Sequence, residues 1–349
     1  MDYGYINARM RGMKSRLLTR RELEDLIFKP DLESLASELE KTPYHTEILE
    51  ARSRHGGILC IECALRENFA STFRKIQKIA GHGEAGQYIA IFLHRWDVQN
   101  IKTILRGKNI HATSDEIIDT IIPAGELDEA TFAELVKQPD ARAVIDLLAS
   151  WKIPYSIPLT RNYPAFAKNG DLAVLENALD KFYYLDALES VSAETYNNRL
   201  IREVLQTEID VMNIRTILRT IRDHVDAGEA AGLFLEGGRV FDTKALSRLA
   251  ALHSTEDLVH ELEPTPYHML AGVAGTALNG QKISVFEKEL EKYLIKKGVD
   301  SFAKDPLSVA SLIGYFWAKY NEMTNIRIIA RCKTADVPDD FLKEELVYV

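Results

Sequence analysis

The amino-acid sequence predicts an all-α protein made of three pseudo-equivalent helical units closed into a ring-like body. Three observations lead there. Apolar residues recur at intervals of three and four wherever Pro or Gly does not interrupt the chain, the pattern of amphipathic helices. No run of period-two alternation with hairpin turns occurs, which argues against a sheet. One ten-residue pattern appears three times at nearly constant spacing, and a long fixed period marks a repeat architecture.

The pattern reads Asp97-Val98-Gln99-Asn100-Ile101-Lys102-Thr103-Ile104-Leu105-Arg106. It returns as Asp210-Val211-Met212-Asn213-Ile214-Arg215-Thr216-Ile217-Leu218-Arg219 and again as Glu322-Met323-Thr324-Asn325-Ile326-Arg327-Ile328-Ile329-Ala330-Arg331. The interval from Asn100 to Asn213 and that from Asn213 to Asn325 differ by a single position. Glu67, Glu176 and Glu287 keep nearly the same beat, each standing six residues before an aromatic. A Pro-Tyr pair recurs at Tyr44, Tyr155 and Tyr267, twice inside a Thr-Pro-Tyr-His tetrapeptide.

A fainter copy of the helix, Asn7-Ala8-Arg9, stands much nearer to the first Pro-Tyr pair than Asn100 and Asn213 stand to the pairs that follow them. In it Gly4 takes the place of Asp97 and Met13 that of Arg106. The chain therefore reads as a half unit, two whole units and a closing half. The expected divisions are 1–60 with 280–349, then 61–165, then 166–279. A closed ring pairs the two halves, which an open solenoid leaves unmatched.

On a helix, Val98, Ile101 and Leu105 form a core stripe, matched by Val211, Ile214 and Leu218 and by Met323, Ile326 and Ala330. The basic positions are Lys102 with Arg106, Arg215 with Arg219, and Arg327 with Arg331. Each pair is four apart on one face, where like charges repel by a few tenths of a kcal/mol unless carboxylates lie near. The repeated Glu67, Glu176 and Glu287 are the candidate counter-charges. Three readings stay open for the cations: solvated charge, ion pairs between helices, or a surface that meets a partner.

The eleven prolines fall at joints, mostly beside turn residues or at a first helical position. Pro154, Pro158 and Pro164 lie close together, so the stretch from Trp151 to Ala165 is expected to be extended or irregular and is the best unit boundary.

Composition narrows the function. With 46% apolar and 27% charged residues the chain folds. Its richest apolar runs, Gly57 to Leu65 and Val309 to Ala318, are about half of the ~18 residues that a membrane span requires. A formal charge of −9 argues against nucleic acid as the main partner and against docking on anionic lipid. The first eighteen residues lack the apolar core and cleavage site of a secretory leader, and three cysteines are too few for a disulfide framework. A cytosolic, reducing location is expected.

No motif carries catalysis. Gly81-His82-Gly83-Glu84-Ala85-Gly86 has the letters of a dinucleotide fingerprint but follows a helical run where a strand is required, so it is expected to be a helix–helix turn. Cys60 and Cys63 have the spacing of half a zinc site without a second half. His45 and His268 recur with the tetrapeptide and are expected to serve a turn. Neither a catalytic residue, a cofactor nor a metal is expected.

The opening Tyr3-Gly4-Tyr5-Ile6-Asn7-Ala8-Arg9-Met10-Arg11, the following Leu17-Leu18 and the thrice-repeated Asn-Ile-[Lys/Arg] helix resemble the C subunit of A-type and bacterial V-type ATP synthases, similar in turn to the d subunit of vacuolar proton ATPases. The resemblance covers essentially the entire chain. It implies a funnel-shaped body of three helical units with a central opening, peripheral on the cytoplasmic face of the membrane and without a catalytic or nucleotide site. It further implies two partners, the membrane proteolipid ring and the central rotor stalk, and a role in coupling ring rotation to the axle. The rival reading from the repeat alone is a soluble helical scaffold that binds partner helices or peptides.

Overall fold

Helix starts are written locally in this chain. Thr19 with Glu22 and Thr113 with Glu116 form reciprocal capping boxes, and the side chains of Asp31, Asp128, Asp140, Thr195, Asp226, Asp242 and Ser254 each accept a backbone N–H of the turn that follows. A computed structural model describes residues 3–279 and 283–349, so the expected boundary at 280 lies outside the described residues. Within them the secondary structure is helical, without strands.

The helices run in chain order. Short helices α1 (Tyr3–Lys14), α2 (Arg20–Ile27), α3 (Leu32–Leu39) and α4 (His45–Arg52) are followed by long α5 (Gly57–Ala80) and α6 (Glu84–Asn109). Next come α7 (Ser114–Ile118), α8 (Glu129–Val136), α9 (Ala141–Ser150), α10 (Ser156–Asn169), and the long α11 (Ala173–Ser190) and α12 (Tyr196–Asp223). Then follow α13 (Ala227–Ala231), α14 (Thr243–Ala250), α15 (Thr255–Leu262), α16 (Ala271–Asn279), α17 (Ile283–Asp300), α18 (Ala310–Thr334) and α19 (Asp339–Glu345). The three ten-residue repeats lie on α6, α12 and α18.

Two compact units result, Met1–Leu172 with Val299–Val349, and Ala173–Gly298. Both chain ends thus belong to the first unit. Its core packs α1, α2, α3 and α5 on α18, with an aromatic cluster in which Phe73 and Phe92 each stand 5.3 Å from Phe316. The core of the second unit gathers Val211, Ile214 and Leu218 of α12 with Leu246, Leu258 and Leu262 of α14 and α15, Tyr267, and Phe286 and Leu290 of α17. All nine residues of the expected stripes are buried. Each of the eight larger side chains, all but Ala330, is worth about 1.5–3 kcal/mol relative to exposure.

The stretch expected to be irregular is not. After a turn at 151–155, residues 156–169 form α10. Pro158 occupies the first turn, where a missing N–H costs nothing. Pro164 sits inside the helix, four residues after exposed Thr160, whose carbonyl can reach water in place of the lost hydrogen bond. The boundary between compact units falls after it, at Leu172.

The three repeat helices also end alike. His111, His224 and Asp336, all at the same offset from the repeated Asn, have φ of +57°, +53° and +51°. The following N–H groups of Ala112, Val225 and Val337 then reach back to the carbonyls of Gly107, Thr220 and Cys332 at 2.9, 3.0 and 3.0 Å. This left-handed closure satisfies carbonyls that a helix end leaves open, and it turns the chain back along the helix it has just left.

Candidate functional site

The chain that comes back to the helix has no regular structure there, so its peptide groups need partners that no sheet supplies. The repeated asparagine provides them. Asn100 Nδ2 donates to the Ile122 carbonyl at 2.7 Å while the Ile122 N–H donates to Asn100 Oδ1 at 3.0 Å. Asn213 does the same to Leu235 at 2.8 and 2.9 Å, and Asn325 to Val347 at 2.8 and 3.0 Å. The partner stands at one and the same distance along the chain in all three copies, and all three asparagines are buried. Only a side-chain amide of this length offers a donor and an acceptor in the geometry of a second peptide; aspartate would lack the donor.

One turn earlier, the repeated acid holds the next part of the loop. Asp97 accepts the N–H groups of Glu126 and Leu127 at 2.8 and 3.1 Å, and Asp210 those of Arg239 and Val240 at 3.1 and 2.9 Å. The loop comes so close that a Cβ at Gly125 would overlap the Asp97 carboxylate, and one at Gly238 that of Asp210. These glycines are separated by the period of the repeat itself, the interval from Asn100 to Asn213. Burial pushes the Asp97 carboxyl up to about 7 despite its two N–H donors. It raises Asp210 as well, opposed there by the Tyr267 hydroxyl and three backbone N–H groups.

The third acid is served differently. Glu322 accepts the Leu18 N–H at 2.5 Å, the Tyr44 hydroxyl at 2.6 Å and Lys319 Nζ at 2.7 Å. Both Lys319 and Glu322 are only 4% exposed. The Tyr44 contact repeats that of Tyr267, which donates to Asp210 at 2.9 Å, so in these two copies the Pro-Tyr marker brings a phenol to the acid of a repeat helix. Burial, then the adjacent carboxylate, holds both phenols well above their ordinary range. Tyr155 is buried at the matching position. A further repeated contact joins Lys108 Nζ to the last carbonyl of α8, Val136, and Lys333 Nζ to the last carbonyl of α2, Ile27. Segments from the start of the chain thus stand to α18 as α8 stands to α6.

Asn7 does not copy the repeat. Its amide donates to the carbonyls of Ser308, at 3.1 Å, and Pro306, and α1 packs along α18. The Thr-Pro-Tyr-His segments form turns in which Thr42 and Thr265 accept the N–H groups of Tyr44 and Tyr267.

The cations separate by depth. Lys102 is buried, Arg215 and Arg327 are half-buried, and Arg106, Arg219 and Arg331 are exposed. Arg219 meets Glu287 at 2.6 Å, and Arg215 donates to the Glu287 carbonyl at 2.9 Å. Arg327 and Arg331 both meet Glu62, each at 2.9 Å, and Glu67 pairs instead with Arg54 at 2.6 Å. The spacing explains this. The interval from Glu62 to Asn100 equals that from Glu287 to Asn325, whereas Glu67 stands more than a helical turn nearer to Asn100. Glu176 is half-buried in the first turn of α11.

The glycine motif is the expected helix–helix turn. Gly81 ends α5 with φ of +62°, Gly83 caps α6, and a Cβ at Gly86 would overlap the Gly81 carbonyl. Cys60 and Cys63 are buried thiols on α5. Among the described residues no group of three or more His, Cys, Asp or Glu is placed to hold a metal ion.

Two outcomes follow from these contacts. Replacing Glu62 by Ala removes the counter-charge of two guanidiniums and is expected to cost about 1–2 kcal/mol in chemical denaturation, whereas Glu67→Ala, which releases only half-exposed Arg54, costs under about 0.5 kcal/mol. Equal costs would reject the assignment. For Asp97 the folded state binds the proton more tightly than the unfolded chain, so its stabilising contribution is complete below the unfolded value near pH 4 and is lost as pH rises through about 7. Thermal midpoints of wild type should fall across that window more than those of Asp97→Asn; parallel curves would refute the shift.

Comparison with known proteins identifies the family. The profile of the ATP synthase (C/AC39) subunit family matches residues 6–345. The chain is 31% identical over 350 residues to the C subunit of the A-type ATP synthase of Methanococcoides burtonii, covering 99% of this chain and 94% of that one. It is 32% identical over 344 residues to the corresponding A-type subunit of Halorubrum lacusprofundi, covering 98% and 97%. A match to that of Methanosarcina mazei is 30% identical over 353 residues, covering 100% and 93%. A thrice-made asparagine clamp on an all-helical chain, together with a family match over almost its whole length, places this protein in the ATP synthase (C/AC39) subunit family.

Proposed function

We propose that this protein is the non-catalytic central-stalk subunit that couples the membrane proteolipid ring to the rotor axle of an A/V-type ATP synthase. It sits peripherally at the cytoplasmic face and serves ATP synthesis or ATP-driven ion transport. In this reading the chain comprises three modules, 1–60 with 280–349, 61–165 and 166–279, arranged as a funnel whose central opening receives the stalk. The cations Lys102, Arg106, Arg215, Arg219, Arg327 and Arg331, with Glu67, Glu176 and Glu287, stiffen neighbouring modules against one another or face those partners.

The observation that supports this most is that the repeated polar residues described above spend their chemistry inward. Asn100, Asn213 and Asn325 tie loops to helices in buried contacts that add rigidity and leave no reactive group poised. A part that transmits torque needs that stiffness. Among the described residues no helix is long and apolar enough to cross a membrane; the formal charge of −9 disfavours anionic lipid and supports contact with the membrane sector through protein. Two interfaces of at least ~1,000 Å² each, engaged together, then multiply into firm attachment.

Reconstitution tests the reading. A complex assembled without this subunit should still hydrolyse ATP in its head but fail to drive ions across the membrane, and adding the purified chain should restore pumping. Pumping that persists without the subunit, or hydrolysis by the detached head that depends on it, would contradict the role.

A further inference from the structure

Two titratable side chains on successive turns of α6 face one short loop. Asp97 is fully buried and accepts the N–H groups of Glu126 and Leu127, with Gly125 pressed against its carboxylate. One turn earlier stands His94, whose Nε2 is buried without a hydrogen-bond partner and lies 3.5 Å from Glu126 Oε2. Glu126 is thus held through its backbone by Asp97 and approached through its carboxylate by His94. The loop is fixed at its two ends by other contacts, those of Asn100 with Ile122 and of the Asp128 side chain at the start of α8. Between these anchors Glu126 is exposed and Leu127 half-buried, so residues 125–127 can lift without opening the core.

Both side chains favour the lowered loop in the same protonation state. No cation pairs with Asp97 among the described residues, and the charged group that the loop brings to it, Glu126, repels a second negative charge. From α10, Tyr155 is buried at the position that matches Tyr267. Burial keeps the Asp97 carboxyl in its acid form up to about 7, against about 4 once water reaches it. Lifting the loop admits that water, so rising pH favours the lifted state. His94 acts in the same direction, because it attracts the Glu126 carboxylate only while protonated.

The second copy of the repeat lacks this arrangement. Thr207 stands in the place of His94 and Arg239 in that of Glu126, and Arg239 is paired with Glu203 at 2.6 Å. Asp210 accepts the Tyr267 hydroxyl and three backbone N–H groups, all of which favour its charged form.

We propose that residues 125–127 form a proton-operated latch, lying on α6 while Asp97 and His94 hold protons and lifting from it when they lose them, with the Asn100 clamp still closed. The inference is independent of the central-stalk role.

Hydrogen exchange of the full chain at pH 5.5 and pH 8, with each amide corrected for its intrinsic rate, tests it. Protection of the Glu126 and Leu127 amides should fall by about tenfold or more over that interval. Protection of Ile122, and of Arg239 and Val240 in the second copy, should change less. Asp97→Asn should abolish the fall at Glu126 and Leu127 whatever it does to the overall midpoint, and His94→Gln should make it smaller. An equal fall at Ile122, which would place the titration in global unfolding, overturns the proposal. So does constant protection at Glu126 and Leu127, or a fall undiminished by either substitution.

Discussion

The two-point hydrogen bond between one asparagine and one peptide unit, made on α6, α12 and α18, is the interaction on which the rest of the structure depends. Each of these three helices ends in a left-handed turn that sends the chain back beside it, and an irregular segment beside a helix has no ladder to satisfy its peptides. The carboxamide substitutes for one rung of that missing ladder. The acid three residues before it takes two more N–H groups where it is an aspartate, and the glycine at 125 or 238 lets the segment come close enough for this to happen. Side-chain volume at that glycine and the chemistry of the loop contact are therefore one constraint.

The third helix meets the same requirement with residues from the other end of the chain. Leu18 and Tyr44 reach Glu322, and Lys333 reaches the end of α2. Glutamate in place of aspartate adds a methylene of reach, and Lys319 supplies the buried counter-charge. A lone ion there would be costly to bury, whereas the lysine, the phenol and the backbone N–H together satisfy it. The first unit is thus fastened by polar contacts between distant segments as well as by its aromatic core.

Much of this was legible because duplication leaves identical residues at equal spacing. The kinship of α6, α12 and α18 followed from that, while the helical class and the stripes such as Val211, Ile214 and Leu218 followed from apolar residues spaced by three and four. The role of the asparagines did not, because each partner is a backbone group far along the returning loop, which no side-chain pattern reveals. Glu62 was hidden behind Glu67, whose distance from an aromatic imitated the period; counting back from Asn100 would have chosen correctly. Gly125 and Gly238 carried the period openly but sit in loops, where a glycine ordinarily signals no more than a turn. Three prolines disguised α10, since one fell in its first turn and another in its exposed interior.

Native-state hydrogen exchange at the amides of Ile122, Leu235 and Val347 tests the central claim most directly. The account predicts that all three are strongly protected, and that replacing Asn100, Asn213 or Asn325 by Ala frees its own partner amide by at least about tenfold, consistent with a lost buried hydrogen bond. Rapid exchange of these amides in the wild-type chain, as in ordinary surface loops, would contradict it.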